Sequence, residues 1–255
     1  MVLAWIGAAL VGLSLGLLGS GGSILTVPVL VYLAGEPDKV AIAESLAIVG
    51  AVALAGSIPY ALGRSIEWRS VLYFGLPGIA GTYGGAALSQ FVSGPVQLAL
   101  FAVVMLAAAA MMFHSGRGRM WERENRPQAS WKIIVEGIVV GIITGLVGVG
   151  GGFLIVPALV ILGGLPMRLA VGTSLLIIAA KSFAGFAKYV DVLSDAGLHV
   201  NWNVILLFTA IGIAGSYAGE KVGGHVRQDQ LRRIFAFFLV LMGGFILWQE
   251  LPKFV

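Results

Sequence analysis

The sequence contains no cysteine, only three histidines and few charged residues. Without cysteine, the chain can form neither a disulfide nor an iron–sulfur cluster. Histidines and carboxylates do not recur at the spacing of metal ligands, and no catalytic constellation is recognisable. No basic run is long enough to bind a nucleic-acid duplex. These absences predict a protein that is not an enzyme and that uses no metal, no cofactor and no nucleic acid.

Hydrophobic residues, by contrast, make up 58% of the 255 residues, whereas charged residues make up 11%. A soluble protein of this size needs far more charge to cover its surface. Apolar runs long enough to cross a bilayer recur from one end of the chain to the other. The composition therefore predicts an all-α polytopic membrane protein whose outer surface is covered by lipid.

The two halves of the chain are copies of each other. Residues 16–52 align with the residues 129 positions later, and from residue 68 onwards the offset becomes 134. Matched pairs include Gly19/Gly148, Pro28/Pro157, Ser45/Ser174, Trp68/Trp202 and Gly81/Gly215. A shared offset over about 100 residues with matched glycines and prolines indicates a duplication. We therefore expect a first transmembrane repeat at 1–113, a charged linker at 114–130 and a second transmembrane repeat at 131–255.

Each repeat begins with a glycine-rich run between two short apolar segments. The runs are GSGGS at 19–23 and GVGGG at 148–152. The segments after the runs, 22–34 and 151–163, reach only about 20 Å as helices, less than the ~30 Å of a hydrocarbon core. Each pair of segments is therefore predicted to form a helical hairpin whose glycine-rich tip lies inside the membrane.

The distribution of arginine and lysine predicts the orientation. The linker is rich in arginine, so we place it in the cytoplasm. A hairpin at the start of the second repeat also keeps four later cations in the cytoplasm, namely Lys221, Arg227, Arg232 and Arg233. Each repeat then crosses the membrane an odd number of times. We predict two inverted repeats of five segments, each beginning with a Gly-broken helical hairpin, and both termini outside the cell.

Glycine-rich breaks at membrane depth free backbone N–H groups at the starts of the following helices, where the helix dipole is positive. This arrangement favours a site for a small anion, and tips that enter from opposite faces are expected to meet near the midplane. The predicted substrate-binding residues are the two tips and two matched serines, namely Ser20, Gly21, Gly22, Ser23, Gly150, Gly151, Gly152, Ser45 and Ser174. The alternative is that the glycines serve only close helix packing.

Two charged residues lie where apolar helices are expected. Lys181 is in the middle of the predicted segment 168–189, and a cation there is costly unless it faces a polar cavity or a partner. We interpret Lys181 as a substrate-binding residue that attracts the anion, the alternative being a structural ion pair. Glu44 begins the predicted segment 40–62 opposite Thr173 of the other repeat. A carboxylate there can carry a coupling proton, the alternative being an interfacial residue stabilised by the helix dipole.

The stretches GLLGSGGSILTVPVL and GLVGVGGGFLIVPAL resemble the TauE/SafE family, the sulfite exporter or anion permease group of bacterial membrane proteins. The serine-bearing stretches AESLAIV and GTSLLII follow, so the resemblance covers nearly the whole chain. The two halves depart from one another at Ser23, which faces Gly152, and at Glu44. The resemblance implies transport of sulfite, thiosulfate, sulfoacetate or a similar organosulfonate across the bacterial inner membrane. The residues alone indicate a small anion.

The sequence thus predicts a secondary transporter that works by alternating access, with the anion at the glycine-rich tips. A proton or a sodium ion is the expected coupling ion. An anion channel with Lys181 and the tips as its filter is one alternative, and a non-transporting membrane scaffold is a weaker one. The residues carry no sign of a particular oligomeric state.

Overall fold

The computed structural model describes residues 2–18, 23–114, 130–148, 155, 156, 159, 165–223, 228–250 and 252, which form helices and turns without a β-strand. The predicted all-α class is therefore confirmed. The α-helices whose bounds are described are α1 (Val2–Leu18), α2 (Ser23–Pro28), α3 (Asp38–Leu62), α4 (Trp68–Ser70), α5 (Leu76–Leu88), α6 (Gly94–His114), α7 (Ser130–Val147), α8 (Met167–Asp195), α9 (Trp202–Gly223) and α10 (Gln228–Glu250). Wider π-helical turns continue α2 over Val29–Ala34 and join α4 to α5 over Val71–Gly75.

Three of the described helices are long and apolar enough to cross a membrane, over Asp38–Leu62, Leu169–Asp195 and Trp202–Gly219. α1, α6, α7 and α10 contain shorter apolar helices. The outer helices expose large apolar side chains, including Trp5 on α1 and Phe237 on α10. Exposed apolar side chains on this scale suit contact with lipid tails rather than with water. The structure thus agrees with a membrane protein.

The centre of the molecule is an antiparallel pair of helices, α3 and α8, which are equivalent in the two halves of the sequence. Tyr60 of α3 contacts α8 at Gly172, and a Cβ on Gly50 would lie 3.3 Å from the Cβ of Ser182. Towards the other end of the pair, Leu46 lies 3.2 Å from a Cβ placed on Gly185. Residue numbers therefore fall along α3 as they rise along α8. Most residues of both helices are buried.

Two pairs of helices beside this central pair cross each other very closely. α5 crosses α7 so closely that a Cβ on Gly85 would collide with the backbone carbonyl of Ile142. α1 crosses α9 in the same way, because a Cβ on Gly219 would collide with the carbonyl of Leu13. Gly219 follows Gly85 by 134 residues and Ile142 follows Leu13 by 129, which are the offsets of the sequence repeat. Each crossing therefore joins a helix of one half to a helix of the other.

The length difference between the halves lies at the end of α8. α3 has 25 residues and α8 has 29, so α8 extends beyond the predicted end at residue 189 to Asp195. The turn from α8 to α9 is also one residue longer than the turn from α3 to α4. A longer helix and a longer turn together account for the five extra residues in the second half.

Candidate functional site

The second glycine-rich run begins at a defined point beside α3. α7 ends at Val147, and Gly148 then adopts a left-handed conformation with φ of 76°, which a glycine adopts without strain. The Gly148 N–H donates to the Thr144 carbonyl at 2.9 Å. The Ser45 hydroxyl oxygen lies 2.5 Å from the Gly148 carbonyl oxygen and 2.8 Å from that of Ile42. Ser45 therefore connects α3 to the first residue of the run.

Two further side chains, which the sequence analysis did not identify, hold the end of α7. Gln97 of α6 donates through Nε2 to the Leu146 carbonyl at 2.7 Å and to the Tyr189 hydroxyl at 2.9 Å. Tyr189 of α8 donates to the same carbonyl at 2.9 Å. Both side chains are fully buried. The carbonyls at a helix C-terminus lack helical partners, so these donors satisfy one of them and fix where the run begins.

Several predicted tip residues lie outside the described residues. They are Ser20, Gly21 and Gly22 of the first run and Gly150, Gly151 and Gly152 of the second. Ser23 is described, and it is fully buried at the start of α2. The predicted substrate role of all seven residues stays a prediction.

The two matched serines lie at different levels of the central helix pair. Leu46, beside Ser45, faces Gly185 of α8. Ser174 is eleven residues before Gly185 on the same helix, which corresponds to about 17 Å along the axis. The Ser174 hydroxyl donates to the Val171 carbonyl of its own helix at 2.8 Å. The structure therefore does not bring Ser45 and Ser174 together. Gly148, the first residue of the second run, lies beside Ser45.

Lys181 is the central residue of α8 and lies between these two levels. Its side chain is fully buried and runs along α5, where a Cβ on Gly78 would lie 3.1 Å from its Cδ and 3.4 Å from its Cε. Its Nζ makes no hydrogen bond or ion pair with the described residues. A structural ion pair, the alternative reading of Lys181, is thus not seen in the described part of the chain.

The repeat position of Lys181 in α3 is Val52, which packs in the equivalent way. A Cβ on Gly212 of α9 would lie 2.8 Å from Val52 Cγ2. Gly212 follows Gly78 by 134 residues, and Lys181 follows Val52 by 129. The two sites are therefore equivalent in packing, and only one of them carries a charge.

Glu44 is fully buried near the start of α3, and its two carboxylate oxygens differ in environment. Oε1 accepts the backbone N–H of Asn201, just before α9, at 2.7 Å. Oε2 has no hydrogen-bond partner among the described residues. Thr173, the repeat counterpart of Glu44, accepts the N–H of Glu67 at 2.8 Å just before α4. Glu44 and Thr173 thus each accept the N–H of the residue that precedes a helix of the other half. A threonine is sufficient as the acceptor.

The comparison with known proteins adds the family. The sequence model of the family described as sulfite exporter TauE/SafE matches residues 4–246 of this chain. A protein of Xylella fastidiosa strain Temecula1, named probable membrane transporter protein, is 31% identical over 96% of this chain and 94% of its own length. The probable membrane transporter protein YunE of Bacillus subtilis is 26% identical over 91% and 92%.

A third relative, from Methanocaldococcus jannaschii, has a similar name. It is a probable membrane transporter protein that is 26% identical over 93% of both chains. No solved structure matches the chain. The similarity to the relatives extends over almost the full length of both partners, so it includes both halves of the repeat.

Proposed function

Because the chain belongs to the sulfite exporter TauE/SafE family of membrane transporters, we propose that it carries a small sulfur-containing anion across the bacterial inner membrane. The proposed substrates are sulfite, thiosulfate, sulfoacetate or a similar organosulfonate. The family description supports a sulfur anion, and the buried lysine supports an anion of some kind. The transport mechanism is alternating access.

The proposed architecture is a pair of inverted repeats, residues 1–113 and 131–255, joined by a cytoplasmic linker at 114–130. The supporting observation is that α3 and α8 occupy equivalent positions in the repeat and run antiparallel. Two equivalent elements that run in opposite directions are what an inverted repeat requires. In this arrangement each half crosses the membrane several times, and both termini face outward.

Lys181 is the observation that carries the anion proposal. A lysine near the middle of a membrane costs about 2.5–3.5 kcal/mol unless it is compensated. The described residues provide no acceptor for its Nζ. An anion that pairs with Lys181 during transport provides that compensation. The anion enters past backbone N–H groups of a glycine-rich run, meets Lys181 between the two serine levels and leaves past the other run.

A carrier fits these contacts better than a channel. The aliphatic part of Lys181 packs against Gly78, and the side chain is fully buried. An open filter would leave such a lysine accessible to water. In the proposed mechanism, the anion reaches Lys181 only when α3 and α8 move relative to the crossings around them.

Glu44 is the proposed coupling residue. Its Oε1 is bound to Asn201, whereas Oε2 is buried and has no partner among the described residues. That oxygen can take up a proton or, as the alternative, coordinate a sodium ion. The comparison with Thr173 supports a role beyond structure, because the hydroxyl of a threonine provides the same contact to a backbone N–H.

The proposal is tested by anion binding to purified protein. Thermal unfolding is followed by tryptophan fluorescence with sulfite, methanesulfonate, thiosulfate, sulfoacetate, phosphate and acetate. A ligand that binds only the folded state at about 100 times its dissociation constant adds about 2.7 kcal/mol of stability. We expect a sulfur anion to stabilise the wild type and not Lys181→Met, which keeps the aliphatic contact with Gly78. Stabilisation by none of the four sulfur anions would contradict the proposal.

A further inference from the structure

In the described part of the chain, the buried middle of the protein contains at most one positive charge. Among the side chains that the structure describes, Lys181 is the one lysine or arginine that is buried. Lys188, two turns further along α8, remains partly exposed and pairs with Asp191 at 3.5 Å. The other buried ionisable residues in the described part of the chain include the carboxylates Glu44 and Glu250, which can add only negative charge.

A single positive charge compensates a monoanion much better than a dianion. The free energy needed to take an ion out of water grows with the square of its charge, whereas its attraction to one ammonium group grows only in proportion to that charge. A monoanion beside Lys181 forms a neutral pair in the low-dielectric interior. A dianion in the same place leaves a net negative charge and needs about four times the desolvation energy.

We propose that Lys181 makes the transporter selective for singly charged anions, such as hydrogensulfite or a simple alkanesulfonate, over dianions such as sulfate or thiosulfate. This inference rests on the proposed function and narrows its substrate class. The partial positive charge at one helix start helps both kinds of anion and amounts to about half a charge. Because the proposed path takes the anion past one run at a time, one such start beside Lys181 does not supply a second full cation.

The repeat provides a way to change the number of charges. Val52 packs on Gly212 as Lys181 packs on Gly78, so Val52→Lys places a second ammonium group at the equivalent position. The double variant Val52→Lys/Lys181→Val moves the charge to the other helix and keeps the total at one. The two variants therefore separate the number of charges from their position.

The experiment compares methanesulfonate with sulfate, which have similar shape at sulfur and differ in charge. Dissociation constants are measured by calorimetry on the purified full-length protein. The wild type is expected to bind methanesulfonate on the order of 100-fold more tightly than sulfate. This ratio of dissociation constants corresponds to the free energy of one uncompensated charge in the middle of a membrane. Val52→Lys is expected to reduce the preference at least about tenfold, and the double variant is expected to keep it.

Three results would overturn the inference. Wild-type protein that binds sulfate as tightly as methanesulfonate would show that one lysine does not limit the charge of the bound anion. That result would leave the proposed anion transport uncontradicted. A folded Val52→Lys protein with an unchanged preference would also contradict it. If neither anion binds, and neither does sulfite or thiosulfate, the proposed function fails and this inference fails with it. Should Val52→Lys not fold, the wild-type ratio alone decides.

Discussion

Replacement of Glu44 by threonine separates its structural contact from its proposed coupling role. Thr173 occupies the equivalent position in the other half, where its hydroxyl accepts the Glu67 N–H at 2.8 Å. In Glu44→Thr, the new hydroxyl is therefore expected to accept the Asn201 N–H in place of Oε1. The variant also removes Oε2, which has no partner among the described residues. We expect the folded protein to be as stable as the wild type or more stable.

Glu44→Val is the matched control, because valine has the shape of threonine without the hydroxyl. It removes this acceptor from the Asn201 N–H, and the loss of a typical intramolecular hydrogen bond costs about 0.5–1.5 kcal/mol. For a chain of this size, 1 kcal/mol shifts the melting temperature by about 2–4 °C. We therefore expect Glu44→Val to melt about 1–6 °C below Glu44→Thr when unfolding is followed by tryptophan fluorescence.

The same pair of variants tests the coupling role in proteoliposomes. Glu44→Thr is expected to bind the anion but to lose the response of anion flux to an imposed pH gradient, because threonine cannot carry a proton. A Glu44→Thr protein whose flux still follows the pH gradient would refute the coupling role. Equal melting temperatures for the threonine and valine variants would refute the structural comparison with Thr173.

The remaining predictions concern packing and the end of α7. Gly85→Ala is expected to destabilise the protein by at least about 1–3 kcal/mol, because its Cβ would meet the Ile142 carbonyl. Gly84→Ala, whose Cβ would meet no atom within 4 Å, is the control and is expected to be neutral or slightly stabilising. Equal melting temperatures for Gly85→Ala and Gly84→Ala would contradict the close crossing of α5 and α7. Gln97→Leu introduces the residue found at its repeat position and is expected to weaken anion binding several-fold, because the second run loses a donor that fixes its start. Calorimetry with unchanged affinity would show that Gln97 has no positioning role.

Much of the helical framework follows from the sequence, because hydrophobic runs and a repeat offset are local or linear signals. The offsets of 129 and 134 also predict which contacts are equivalent, including Gly85 with Ile142 and Gly219 with Leu13. The sequence does not predict that these crossings join opposite halves. That arrangement depends on how the two halves fold around each other, and a pattern along the chain contains no information on it.

The sequence predicts less of the candidate site, for physical reasons that differ by residue. Lys181 stands out because a charge in an apolar helix is rare, and its burial follows directly. The sequence predicts Ser45 as a substrate-binding residue, whereas the contact of its hydroxyl with the Gly148 carbonyl follows from no local pattern. Gln97 lies near the start of an apolar helix, where a polar residue usually faces the interface. Its contact with Leu146 arises only when α6 packs beside the end of α7.

The central claim, that an anion passes Lys181 in transport, is tested most directly by flux through the reconstituted protein. Uptake of radiolabelled sulfite or methanesulfonate into proteoliposomes is compared for the wild type, Lys181→Arg and Lys181→Met. We predict saturable uptake by the wild type, retained uptake with arginine, and a loss on the order of 100-fold with methionine. Wild-type rates of uptake by a folded Lys181→Met protein would contradict the claim.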